Sequence, residues 1–194
     1  MVAPTASSET DPRSAIRRHL RAGEGILWVG QPNVSAYALR GAWYLLPFSL
    51  LWGGFAISWE VIAIARGAPI LFAAWGIPFV VIGLYMIFGR LYVARREAQR
   101  TVYGVTDRRI LILSGAFRQT FTEIAVNGMP VMQLEEQGSG LGTIIFSAGG
   151  GTYRAPPGWP TMGSYARTPM FESVPDANEV YRLIQDAKAA APAS

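Results

Sequence analysis

The sequence predicts an α+β membrane protein: a two-helix transmembrane hairpin, then an antiparallel β-sheet with a closing α-helix packed on it. Three observations predict it. Two long apolar stretches, Gly41–Trp59 and Ile70–Gly89, are separated by little more than Arg66-Gly67-Ala68-Pro69. After Arg100 the apolar runs shorten and alternate between glycine-rich turns. The last segment carries apolar residues at helical spacing.

Each apolar stretch has about the number of uncharged residues a helix needs to cross roughly 30 Å of hydrocarbon. Glu60 interrupts the first, but Val61–Ala65 carries its apolar character up to Arg66. Gly67 can end one helix and Pro69 can open the next, where its missing N–H is harmless. Pro47 and Pro78 fall inside the spans, and Gly53, Gly54, Gly76 and Gly83 would let two backbones approach closely. Helical character is expected to run past Gly89 to about Gln99. Met1 to Arg21 holds no apolar core of the length a secretory signal requires, so the first span is expected to remain as an anchor.

Arginine placement sets the expected topology. Arg13, Arg17, Arg18, Arg21 and Arg40 precede the first span, Arg90, Arg95, Arg96 and Arg100 follow the second, and Arg66 alone lies between. By the positive-inside rule both termini are expected to be cytoplasmic, with the short turn facing out. Trp43, Tyr44, Trp59 and Tyr92 fit the aromatic belts at the two interfaces.

Four regions are expected along the chain. Residues 1–22 form a partly disordered tail, with a short helix between Arg13 and Arg21 that aligns Ile16 and Leu20. Residues 23–40 include a strand at Ile26–Val29. The hairpin occupies 41–94, with helices at about 42–65 and 70–92, and the soluble part occupies 100–190. There, strands are expected at Thr101–Thr106, Arg109–Leu113, Phe117–Ile124, Val131–Glu135 and Gly142–Ser147. Ala148–Pro169 reads as a long loop with a short strand near Tyr153. A final helix starts at Asp176, whose spacing to Glu179 fits a capping box. Its apolar face is Ala177, Val180, Leu183, Ile184 and Ala187. Phe117, Phe121, Ile144 and Phe146 are expected to pack with Val180, Leu183 and Ile184 as the core.

Composition excludes most enzymatic chemistry. Charged residues make up 15% of the chain and hydrophobic ones 51%, and with no cysteine neither disulfides nor zinc–thiolate sites can form. His19 is the single histidine, and Lys188 the single lysine, sits near the C-terminus, so the usual nucleophile–base pairs are missing. Glu135 and Glu136 are neighbours on a strand and point to opposite faces. Gly138, Gly140 and Gly142 are followed by Thr143 where a dinucleotide fingerprint needs glycine. No catalytic residue, cofactor or metal is therefore expected. Gln119–Ser194 has more acids than bases, which argues against nucleic acid as a partner.

Two features remain as candidate sites. Arg90, Arg95, Arg96, Arg100, Arg108 and Arg109 form the densest charge cluster. Beyond setting topology, such residues can contact anionic lipid headgroups at about 1 kcal/mol each. Glu60 is an ionisable group within a span, a candidate intramembrane partner contact; the alternative is that it reaches the outer headgroups beside Trp59.

The order of several short motifs resembles bacterial membrane proteins with a pleckstrin-homology-like (PH-like) domain. They are Gly23-Glu24-x-Ile26-Leu27-Trp28-x-Gly30-Gln31-Pro32, two spans, Tyr103-Gly104-Val105-Thr106-Asp107-Arg108-Arg109-Ile110, Gly142–Phe146, and Phe171-x-x-Val174-Pro175-Asp176-Ala177. The resemblance runs from residue 23 to about 187. It implies a curled antiparallel sheet or partly closed barrel capped by the C-terminal helix, and transfers no catalytic residues. The expected function is a non-enzymatic, membrane-anchored module that binds a protein or lipid partner at the cytoplasmic face. The alternatives are an accessory or assembly subunit of a larger membrane complex docking through the hairpin, and a small oligomeric transporter; the partners weighed are anionic lipid headgroups, a membrane protein and a second copy of the chain in a homo-oligomer.

Overall fold

The structure, a computed structural model, describes residues 11–40, 42–128, 131–137, 140–147 and 168–191. Nearly all of the expected disordered N-terminal segment, the loop from Ala148 to residue 167 and the strand near Tyr153 lie outside them.

Helix α1 (Pro12–Arg17) starts where the Asp11 side chain accepts a hydrogen bond from the Arg13 amide at 3.1 Å, and it buries Ile16 completely. Strand β1 (Ile26–Gly30) and a short helix α2 (Val34–Leu39) follow, the latter capped by Asn33. Two long helices come next. α3 spans Ala42–Ala65, and α4 (Ile70–Leu84) continues through a π-turn (Tyr85–Gly89) into α5 (Arg90–Arg100). Both helices are long and apolar enough to cross a membrane. They meet at their glycines: a Cβ added at Gly83 would lie 2.8 Å from the Gly53 Cα, and one at Gly53 would lie 2.8 Å from Ile87 Cδ1. Gly54 faces open space.

The strands form two antiparallel sheets. One has the order β1–β2–β3–β4, with β2 at Val102–Thr106, β3 at Arg109–Ser114 and β4 at Thr120–Ala125. The other has the order β5–β6–β7, with β5 at Val131–Gln137, β6 at Leu141–Ser147 and β7 at Met170–Pro175. The expected partly closed barrel is not formed: among the described residues no strand pairing joins the two sheets. A 3₁₀ turn at Val126–Gly128 redirects the chain after β4, so β4 and β5 do not continue one ladder.

The sheets pack face to face with α6 (Ala177–Ala190) against them. Tyr103, Val105, Ile110 and Ile112 from the first sheet meet Ile144, Phe146, Phe171 and Val174 from the second, and Val180 and Ile184 from α6. Each such side chain, removed from water, stabilises the fold by about 1.5–3 kcal/mol. The other face of the first sheet is covered too, as Val102, Leu111 and Leu113 pack on Ile16 of α1. Burial on both faces explains the unbroken apolar run Ile110–Leu113.

Two expectations are corrected here, and one unassigned segment proves to be a strand. Phe117 and Phe121 are not core: they are 70% and 40% exposed, while Ile124 packs inward. β4 begins at Thr120, so its inward parity is that of Ile124, and the expected alternation was one residue out of step. Met170–Pro175 is a strand. Asp176 stands at the start of α6 with a left-handed backbone (φ 52°), and its side chain makes no cap hydrogen bond, so the capping box is absent.

Candidate functional site

β1 and β2 are neighbours in the sheet although the whole helical pair lies between them in sequence. The pair therefore leaves the domain and re-enters it at one place, and both crossings are tied down. On the way out, Arg40 forms a 2.9 Å ion pair with Glu172 of β7. Tyr103 accepts a hydrogen bond from the Glu172 amide at 3.0 Å, and burial pushes its phenol far above the usual range, so it stays neutral. On the way back, α5 ends at Arg100 and β2 begins at Val102 with only Thr101 between, whose hydroxyl donates to the Glu97 carbonyl at 2.8 Å. No flexible linker separates the long helix from the sheet.

The six arginines singled out in the sequence do not form one patch. Arg95 and Arg100 are exposed on α5, and Arg96 is half-buried. Arg96 Nε and Arg100 Nη1 donate to the Ala116 carbonyl at 3.1 and 3.3 Å, and the Arg96 guanidinium lies 5.4 Å from the Phe117 ring centroid. The β3–β4 turn is thus held against α5 with Phe117 outward. Gly115 permits the turn, its φ of 130° being closed to other residues. Arg108 and Arg109 lie at the other end of the β2–β3 pair, about 17 Å away by strand rise. Arg108 is exposed and lines a recess of ≈ 580 Å³ with Leu27, Asn127 and the end of α6.

Arg109 is an interior residue. Its Nε and Nη2 form a bidentate pair with Glu24 at 2.9 and 2.8 Å, its Nη1 pairs with Glu123, and Nη2 also donates to the His19 carbonyl at 2.7 Å. Thr106 donates to Glu24 at 2.7 Å, and the Gly25 amide donates to Asp107 at 3.0 Å. The Arg109 hydrogen bonds hold the Glu24 carboxyl well below its usual range, at about 2, and the guanidinium is held up in return. The Gly-Glu and Thr-Asp-Arg-Arg motifs are two halves of one clasp across the inserted helices. His19 is part of the same structure, stacked on Phe121 with ring centroids 4.6 Å apart.

Arg90 is 2% exposed, at the start of α5, with Nε and Nη1 lacking any hydrogen-bond partner. The π-turn just before it sets its position, since the Arg90 amide donates to the Tyr85 carbonyl, five residues back. Glu60 lies on the inner face of α3, with its carboxyl packed on Gly76 of α4 and Oε2 buried without a partner. Beside it, aromatic residues of α3 and α4 line a groove of ≈ 370 Å³. The sequence singles out Glu60 as an intramembrane contact and Arg90 as a headgroup contact; Arg90 is instead buried, out of reach of headgroups. Sequence reasoning missed the groove, because the pairing of α3 with α4 decides which aromatics converge. Among the described residues no three of His, Cys, Asp and Glu come together as a metal site requires.

Comparison with known proteins agrees with this architecture. A family model described as Bacterial PH domain matches residues 44–188. An uncharacterized 23.7 kDa protein in the puhA 5'region of Rhodobacter capsulatus is 26% identical over 188 residues, which cover 91% of this chain and 85% of that protein. No solved structure matches. PH domains are in general binding modules rather than catalysts. The family match begins after β1, yet β1 completes the first sheet, so the structural unit reaches further back than the match. The chain belongs to the bacterial PH domain family.

Proposed function

We propose that α3 and α4 anchor the protein in a bacterial inner membrane with both termini cytoplasmic, and that the PH domain binds a partner at that face. The observation that carries this reading is the direct run of the long helix into β2 through Thr101. A domain joined to a span without a linker presents a fixed face to the bilayer. That face carries Arg95, Arg96, Arg100 and the outward Phe117, a basic and aromatic combination suited to anionic headgroups. Arg109 is spent on the clasp, Arg90 is buried and Arg108 lies at the far end of the sheet, so the lipid contacts narrow to Arg95, Arg96 and Arg100.

The absence of native cysteine makes the topology directly testable. Cysteine placed at Ala68 should react with an impermeant maleimide in spheroplasts, and cysteine at Lys188 only after lysis; the reverse pattern overturns the orientation. Full-length protein purified in mild detergent should retain anionic lipid, and Arg95→Gln/Arg96→Gln/Arg100→Gln together should remove most of it. Equal retention by both proteins sinks the headgroup contact. A second reading, an accessory or assembly subunit that docks through the helices, draws support from their exposed aromatic faces. A single unpartnered species on mild extraction would count against it.

A further inference from the structure

We infer that the groove between α3 and α4 binds an organic cation with an apolar body, entering sideways from the bilayer. The inference rests on the membrane reading above for where the ligand comes from, but its argument is the chemistry of the groove. Trp52, Phe55 and Trp59 on α3 face Phe72, Trp75 and Phe79 on α4. Rings meet across the gap, Trp59 with Phe72 at 6.3 Å between centroids and Trp52 with Phe79 at 6.4 Å. These side chains are open on the outer side, Trp75 being 72% exposed. The volume, ≈ 370 Å³, suits a small molecule.

An aromatic groove alone would hold any apolar chain. Gly76 changes that. It lines the groove, and the Glu60 carboxyl packs on its Cα, in space that any larger side chain would fill. Glu60 Oε2 is shut off from solvent with no hydrogen-bond partner, a costly state that an approaching cation relieves. Ring faces carry negative potential and attract cations within about 6 Å. The aromatic lining, with the Glu60 carboxyl packed directly behind Gly76 of that lining, favours an apolar cation over a neutral molecule or an anion.

Tetraphenylphosphonium is a suitable probe, and triphenylphosphine oxide its neutral control. Full-length protein in nanodiscs is titrated with each while tryptophan fluorescence is followed. The cation should give saturable quenching and the neutral compound none. Glu60→Gln should weaken cation binding by on the order of tenfold, the scale of a partly buried charge contact, and Trp75→Ala should weaken it with the carboxyl intact. Equal affinity of wild type and Glu60→Gln, saturable binding of the neutral compound, or no saturable quenching at all overturns the inference. If Glu60→Gln fails to insert, Trp75→Ala and the neutral control still decide it. Resistance of the chain to alkaline carbonate extraction, measured separately, tells failure of the groove from failure of the membrane reading.

Discussion

Two buried arginines, Arg109 and Arg90, show the difference between the halves of this molecule. Arg109 in the sheet is 6% exposed and every guanidinium nitrogen has a partner, in Glu24, Glu123 and the His19 carbonyl. Arg90, in the helical pair, is 2% exposed and leaves Nε and Nη1 unpaired. Glu60, further along that pair, has the same character. A closed polar network specifies a fold, because every member is satisfied only in one arrangement. Open polar groups specify nothing internal. The sheets are therefore built around their charges, and the helices hold theirs in reserve.

The comparison can be broken most forcefully at the clasp. Arg109→Leu leaves the buried Glu24 without its counter-charge, and should cost about 3–5 kcal/mol, read as loss of the sheet domain's protease resistance and a lower midpoint of thermal unfolding. A midpoint unchanged within error would show that the network is ornamental. Acid should act on the same residues. Glu24 sits at about 2 in the fold against 4.5 ordinarily, so its stabilising contribution is complete above about pH 4.5 and fades as pH falls towards 2. The loss approaches roughly 3 kcal/mol. Denaturant midpoints of full-length protein across that window should fall for wild type and stay flatter for Glu24→Gln, with helical signal from α3 and α4 outlasting the tertiary signal. On the helical side the seam is apolar and small. Gly83→Val should push α3 and α4 apart and cost about 1–3 kcal/mol, seen as a lower midpoint of helix unfolding in detergent. Gly54→Val, facing open space, is the matched control and should change little.

What could be read from the sequence follows the same division. The long helices were legible because apolar length needs no partner to be recognised. The β2–β3 pair was legible from its Asp107-Arg108 turn, and α6 from its apolar spacing. β7 was not, because Glu172 and Ser173 interrupt its pattern and Ser173 has a positive φ of 50°. Glu172 is there to meet Arg40, a partner more than 130 positions away and invisible to local periodicity. Phe121 failed for a related reason: it stacks on His19, on the face opposite the one its spacing suggested. The arginine cluster dispersed because closeness in sequence is not closeness in a sheet. Strand β2 and the β2–β3 turn carry Arg109 away from Arg100 and inward to Glu24.

The adjacency of β1 and β2 has a consequence for biogenesis. β1 emerges from the ribosome first, and its sheet neighbour follows only after about seventy more residues, the whole of α2 to α5. At roughly 5–20 residues per second, Trp28 and its neighbours wait about 4–14 s without a partner. During that interval the nascent chain holds an unpaired strand edge of the kind other chains can capture. The first sheet can therefore close only after both long helices have been synthesised.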